Sequence, residues 1–229
     1  MEAPILYLSD TLVAVDKPAG IIVHGDGTGQ PTLTDLVRTT LDAEDTPEPS
    51  SSRSAELQAL NRLDRDTSGV VLFSRSKATQ AAYDRLIAEH AVEKRYLAIV
   101  VGRVPWGHRT FTQPIGRDRH DARRMRVSRT GKPAVTHAKR IAETSRRGRT
   151  FTLLSVTIET GRKHQIRLHL SHAGLPILGD GLYGRPDPRG LMLHARSLTF
   201  SDPVTGERVR IEAPVPQRFE RLFPGISLV

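Results

Sequence analysis

The chain has 229 residues, 38% of them hydrophobic and 26% charged, a globular balance that excludes an intrinsically disordered chain. No apolar run approaches the roughly 18–20 residues that a membrane span requires, and the absence of cysteine removes disulfides, thiolate nucleophiles and Cys-based zinc sites together. The net charge of +9 is focused: Arg117 to Arg149 holds twelve Lys or Arg against Asp118, Asp121 and Glu143, so this stretch carries the whole excess, the electrostatic footprint of a polyanion ligand.

In chain order, Met1-Glu2-Ala3-Pro4 lacks the positive start and apolar stretch of a secretory signal, so the expected compartment is the cytoplasm, without a membrane. Ile5–Leu8 and Leu12–Asp16 read as strands joined by a turn at Ser9-Asp10. Asp16 to Gly20 interrupts the pattern, Ile21-Ile22-Val23 resumes it, and Gly25, Gly27 and Gly29 form a loop. That loop lacks both the dinucleotide spacing and the Gly-Lys-Ser/Thr ending of a phosphate cradle. A helix is expected near Thr34–Leu41, then a mobile loop over about residues 42–57, rich in Asp, Glu, Pro and Ser.

Ser68–Arg75 contains Val70-Val71-Leu72-Phe73, a strand buried on both faces. Lys77–His90 suits a surface helix, and Tyr96–Val101 a second buried strand. The basic segment, about residues 113–149, breaks into short pieces; Met125 and Val127 alternate with Arg124 and Arg126, which predicts a hairpin. Phe151–Ile158 reads as a strand and His164–His172 as a helix. Leu191–Phe200 and Arg208–Glu212 read as strands, and a short helix is expected near Gln217–Phe223. The expected class is α+β, one catalytic domain over residues 1–229 around a largely antiparallel or mixed sheet flanked by helices and loops.

Two clusters carry chemistry-bearing residues. Asn61-Arg62-Leu63-Asp64-Arg65-Asp66-Thr67-Ser68-Gly69 is a turn-forming segment ahead of a buried strand. Asp64 and Asp66 would suit a metal-dependent nuclease, but no third acidic ligand stands nearby and Arg62 and Arg65 repel a cation, so no metal is expected. Thr160 to Arg167 combines a glycine turn, a helix start, arginines and a histidine, an anion-handling arrangement. It reads equally as a capped amphipathic helix with Ile166 and Leu170 inward. His164, His169 and His172 lack the spacing of a zinc helix.

Together these segments resemble the RluA-type family of RNA pseudouridine synthases nearly end to end. Val15-Asp16-Lys17-Pro18-Ala19-Gly20 with His24, Arg62-Leu63-Asp64 with Asp66-Thr67-Ser68-Gly69, Lys94-Arg95-Tyr96-Leu97-Ala98, Gly161 to Arg167 followed by Gly174 through Leu178-Gly179-Asp180 and Tyr183-Gly184, and Leu193-His194-Ala195 follow the family's order. Asn61 departs from it, standing where the family usually has His, so the brace of the loop is the feature that differs. No S4-like domain is expected ahead of residue 5.

The resemblance implies the pseudouridine synthase fold and isomerisation of uridines in structured RNA, ribosomal or transfer, with no cofactor and no obligate protein partner. It implies Asp64 as the essential carboxylate, acting as nucleophile or as base, Arg167 as its counter-charge and Tyr96 as the residue packing on the uracil. A base inside a helix must be flipped out to reach such a pocket, and Arg62 is expected to fill the vacated stack. Arg123, Arg124, Arg126 and Lys132 on mobile basic loops, with Arg162, His164 and Gln165, are the expected RNA contacts. A non-catalytic RNA-binding module is the rival reading.

Overall fold

The run Val70-Val71-Leu72-Phe73 has no polar face because strand β4 (Ser68–Ser74) is buried along its whole length. The computed structural model describes residues 3–25, 27, 29–44 and 56–225. Most of the loop expected over 42–57, and positions 26 and 28 of the glycine loop, lie outside the described residues. The chain gathers into two compact units: Met1–Val92 with Ala195–Pro214, and Glu93–His194 with Val215–Val229.

In the first unit, β1 (Ile5–Leu8), β2 (Leu12–Lys17), β4 and β11 (Leu193–Ser201, which begins in the other unit) are neighbours in that order. The short β3 (Gln58–Ala59) pairs with β4, and β12 (Arg208–Glu212) with β11. β2 and β4 run antiparallel from Leu12 opposite Ser74 to Lys17 opposite Gly69. Side chains alternate between the faces of a strand, and both faces are covered. Leu12, Ala14, Val70 and Leu72 pack with Tyr83 of helix α2 (Lys77–Ala88) and with Phe200. Val13, Val15, Val71 and Phe73 pack with Leu33, Val37 and Leu41 of helix α1 (Leu33–Glu44). Thr32 and Asp35 start α1 as a reciprocal capping box, each side chain bonding the other's backbone N–H. Ile21-Ile22-Val23 is not a strand. The Ile22 and Val23 carbonyls accept the Leu33 and Thr34 amides and so tie the chain to the start of α1.

The second unit is built on β5 (Glu93–Val101), β10 (Arg149–Ile158), β9 (Thr136–Arg146) and β6 (His108–Phe111), adjacent in that order and antiparallel. A separate hairpin, β7 (Ile115–Arg117) with β8 (Met125–Val127), matches the one expected from the alternation around Met125. It is anchored, since Met125 and Val127 pack on a cluster of Ile115, Ala134, Leu168 and Tyr183. The basic stretch is thus in large part strand, and β9 runs for eleven residues against β10, with a register shift between Leu153 and Leu154 that leaves Ile141 unpaired in the ladder. Helix α3 (Gln165–His172) is not the capped amphipathic helix of the sequence pattern: Gln165 to Leu170 are all buried, and His164 enters it with a left-handed backbone, φ 57°, and no side-chain cap. Its polar side chains therefore need internal partners. The short α4 (Gln217–Glu220) follows Pro216. Both units are α+β with antiparallel pairing, the expected class.

Candidate active site

Asp64 is half-buried in the loop that leads into β4. Three attachments set that loop, all readable as backbone chemistry. Leu60 donates its amide to the Leu72 carbonyl, as a strand neighbour would. Asn61 then substitutes its side chain for the next peptide: Oδ1 accepts the Leu72 amide at 2.7 Å and Nδ2 donates to the Val70 carbonyl at 3.3 Å. The residue that departs from the family pattern is therefore itself the brace. Asn61→Ala leaves the Leu72 amide without this acceptor, which costs about 1–3 kcal/mol. The expected result is a lower urea midpoint together with faster hydrogen exchange at the Leu72 amide.

The third attachment comes from the end of β2. Lys17 is fully buried, and its Nζ donates to the carbonyls of Pro18, Ile21 and Arg65 at 2.9, 2.7 and 2.8 Å. Gly20 and Arg65 are joined both ways, by the Gly20 amide on the Arg65 carbonyl and by Arg65 Nε on the Gly20 carbonyl. Burial lowers the Lys17 pKa to about 8, while the charges of Asp66 and Asp64 pull it up. The ammonium thus places positive potential beside Asp64. The folded pKa lies below the ordinary value of 10.5, so the unfolded chain holds this proton longer. The cost of burying the ammonium is fully present below pH 8 and is relieved as pH rises toward 10.5. Compared with Lys17→Met, the native protein is expected to gain a few kcal/mol of relative stability over that window, measured by urea melts at both ends.

Gly69 follows from the same packing. Its φ is +114°, and a Cβ there would lie 2.1 Å from the Ala195 carbonyl oxygen, so no side chain fits where β4 starts. Arg62, Arg65 and Asp66 are exposed. Arg62 faces His24 closely enough that its charge, after burial, lowers the histidine pKa.

Tyr96 lies buried on β5, opposite Val156. Arg167, buried on α3, makes a bidentate ion pair with Asp180: Nε to Oδ2 and Nη2 to Oδ1, both 2.8 Å. Asp180 also accepts the amides of Leu182 and Tyr183. Burial works to raise the Asp180 pKa, but the Arg167 guanidinium and these amides hold it below the ordinary carboxylate value. Tyr183 is the hub beside this pair. Its hydroxyl accepts the Met125 amide at 2.7 Å and shares a 2.9 Å hydrogen bond with His164 Nδ1. The guanidiniums of Arg124 and Arg167 lie 5.2 and 5.4 Å from its ring centre, cation–π distance. Three of the expected residues, Arg124, His164 and Arg167, thus meet on a tyrosine to which the sequence reading assigned no role. Asp180 went unassigned likewise; the clue to both was their place in the signature that runs from Gly161 to Gly184.

Gln165 sits inside the fold. Expected to touch RNA, it is 3% exposed and its amide is fully used inside the protein. Nε2 donates to the Val135 carbonyl and Thr136 Oγ1, and Oε1 accepts the Thr160 hydroxyl and the Arg162 amide. The network continues through His169, which donates Nε2–H to the Gln113 carbonyl and receives Thr136 Oγ1–H at Nδ1. Burial lowers the His169 pKa and keeps this neutral form. Both of its ring nitrogens are engaged in this network. Arg162 is half-buried and bonds the Pro133 carbonyl through Nε. Lys132 is exposed beside β7, its backbone paired both ways with Ile115. Arg123 is exposed and paired with Asp121, which it holds at a pKa of about 2, and Arg126 reaches the Arg117 carbonyl.

Solved structures with this fold are pseudouridine synthase domains. The chain superimposes on human RNA pseudouridylate synthase domain containing 1 with a TM-score of 0.78 and 26% identity, covering 94% of this chain and 84% of that one. For human RNA pseudouridylate synthase domain containing 4 the TM-score is 0.75 and the identity 26%, over 96% and 92%. A family model for RNA pseudouridylate synthase matches residues 11–172. The chain is 38% identical over 238 residues to ribosomal large subunit pseudouridine synthase D of Xanthomonas campestris, covering 97% of this chain and 69% of the relative. It is 34% identical over 224 residues to the uncharacterized RNA pseudouridine synthase YhcT of Bacillus subtilis, covering 96% and 71%. The chain belongs to the RNA pseudouridylate synthase family, in its RluA-type branch, and is an isomerase acting on RNA.

Proposed function

We propose that the whole chain acts as one catalytic domain that converts specific uridines of ribosomal RNA to pseudouridine in the cytoplasm, with Asp64 as the essential carboxylate. The observation that carries the substrate is the 38% identity, nearly end to end, to a relative named for the large ribosomal subunit. Transfer RNA is the second substrate class that the family signatures allow. No described helix is long and apolar enough to cross a membrane.

The reaction breaks the bond from the ribose to the uracil nitrogen, turns the base, and closes a carbon–carbon bond to the same sugar. Nothing is added or oxidised, so no cofactor is required. Asp64, within the field of the Lys17 ammonium, serves either route to that cleavage, attack as a nucleophile or removal of a ribose proton. Arg167 supplies the counter-charge and Tyr96 packs on the uracil, a stack worth roughly 1–3 kcal/mol. Arg62, exposed next to Asp64, fills the gap left by the flipped base. Arg123, Arg124, Arg126 and Lys132 hold the RNA backbone, with Arg162 and His164 beside them, and their contacts offset the flipping cost of a few kcal/mol.

Pseudouridine mapping across total RNA, with and without the protein, tests the proposal. The expected result is a small set of sites in large-subunit ribosomal RNA that vanish with the protein. An unchanged map with the protein demonstrably expressed overturns it. Charge reversal at Arg123, Arg124 and Arg126 is expected to weaken RNA binding and flatten its salt dependence; unchanged affinity would remove the β7–β8 hairpin from the interface.

A further inference from the structure

The basic segment is continuous in sequence, but the fold carries its two halves to different places. The first half forms the β7–β8 hairpin beside Tyr183. The second runs out along β9 and returns along β10 through a two-residue turn, Arg147-Gly148, with both φ values positive at 50° and 73°. That is the tight hairpin turn whose twist matches its strands, so it presents Arg146, Arg147 and Arg149 on a rigid tip. All three are exposed.

Two distant stretches arrive at the same end of the sheet. Gly102 donates its amide to the Thr150 carbonyl and accepts the Thr152 hydroxyl, which sets Arg103 beside the hairpin, paired with Glu143 on β9. From the other side comes Arg189. Its guanidinium lies 5.6 Å from the centre of the Phe151 ring, the same distance as that of Arg149. Asp187 holds Arg189 through Nε and Nη2. Five arginines thus converge from three parts of the chain against two carboxylates. Among the described residues the exposed large apolar side chains are Leu8, Ile141 and Val204, none of them in this group. A protein interface is built around buried apolar anchors, whereas arginines without such anchors suit a phosphate backbone.

We propose that this end of the second unit is a separate RNA-backbone grip that holds the duplex flanking the modified uridine. It rests on the reading of the chain as an RNA-modifying enzyme, but makes a claim about substrate length that reading does not contain. β10 spans from this grip at Arg149 to Ile158, next to the Thr160–Gln165 turn that opens α3, so at about 3.3 Å per residue the two ends lie about 30 Å apart. An RNA that reaches only the α3 end cannot touch the tip. The grip reads shape and charge, so it adds affinity for long structured RNA without choosing the uridine.

The test is binding of two labelled RNA hairpins with the same loop and stems of about 6 and about 20 base pairs, a length difference that straddles the reach of a duplex-binding surface. The full-length protein is compared with the triple variant Arg146→Gln, Arg147→Gln and Arg149→Gln, and independently with Arg103→Gln, whose side chain is 77% exposed and whose loss does not threaten folding. The triple variant is expected to lose roughly tenfold in affinity for the long stem, with a salt slope lower by up to about three, and to match the native protein on the short stem. Arg103→Gln is expected to show a smaller loss on the long stem alone. Unchanged affinity for the long stem overturns the proposal and leaves an acidic protein as the partner of this patch. Equal losses on both stems overturn it too, because the tip then contacts the short RNA. A native protein that forms no pseudouridine refutes the enzymatic reading instead, a separate readout from these affinities.

Discussion

Asp64→Asn is expected to abolish pseudouridine formation, by roughly 10⁴-fold or more, while leaving fold and RNA affinity near those of the native protein. The amide keeps the shape of the carboxylate but is neither a nucleophile nor a base. The loop around it is held by hydrogen bonds that do not involve the Asp64 side chain: Asn61 on β4, Lys17 on three carbonyls, and Gly20 against Arg65. A thermal melt within about 2 °C of native together with a silent activity assay is the expected pair of results. Measurable turnover by the variant would transfer the essential role elsewhere. The second carboxylate of the segment provides the contrast. Asp66 is exposed, and Asp66→Asn is expected to retain most activity. A nuclease using both aspartates would lose its activity with either and also in excess chelator; the isomerase should lose it only with Asp64.

Arg167→Met is expected to damage both stability and activity. The substitution strands Asp180, whose side chain is fully buried, with the Leu182 and Tyr183 amides to hold its charge. Breaking one partner from a buried pair costs about 3–5 kcal/mol, which lowers the melting temperature by roughly 10 °C in a chain of this size. Asp180→Asn relieves part of this loss, because a neutral amide is cheaper to bury than an unpaired carboxylate. The double variant should therefore recover stability relative to Arg167→Met. It should not recover activity if Arg167 serves the reaction itself, and recovered activity would reduce Arg167 to a structural residue. The pair also sets the acid limb of the stability curve. The folded Asp180 pKa lies below its ordinary value, so its contribution is complete above about pH 4 and fades as pH falls through the depressed value. Asp180→Asn should flatten that limb.

Tyr183 shows why the sequence alone understated the site. Its importance lies in four contacts, with Met125, His164, Arg124 and Arg167, that come from separated parts of the chain. Nothing in the spacing of a single tyrosine announces such a hub. Gln165 shows a placement that its position in the chain does not reveal. It sits in a signature beside exposed residues, and only the burial of α3 turns its amide inward to Val135 and Thr136.

The sequence by itself determined the local structure wherever a residue type leaves one choice. Val70 to Phe73 had to be a buried strand, the alternation at Met125 and Val127 had to give a hairpin, and the ordered signatures identified the family. Those features depend on periodicity and on short spacings, which a linear chain displays directly. Tertiary structure decided the rest. It made Ile21 to Val23 a tie to α1 rather than a strand, because the Ile22 and Val23 carbonyls meet the amides that start that helix. It chose Asp180 as a partner for the Arg167 charge and turned Asn61 into a brace. Each of these is a pairing of polar or charged groups across the fold. Burial forces such pairs to form, but their partners are set by packing rather than by distance along the chain.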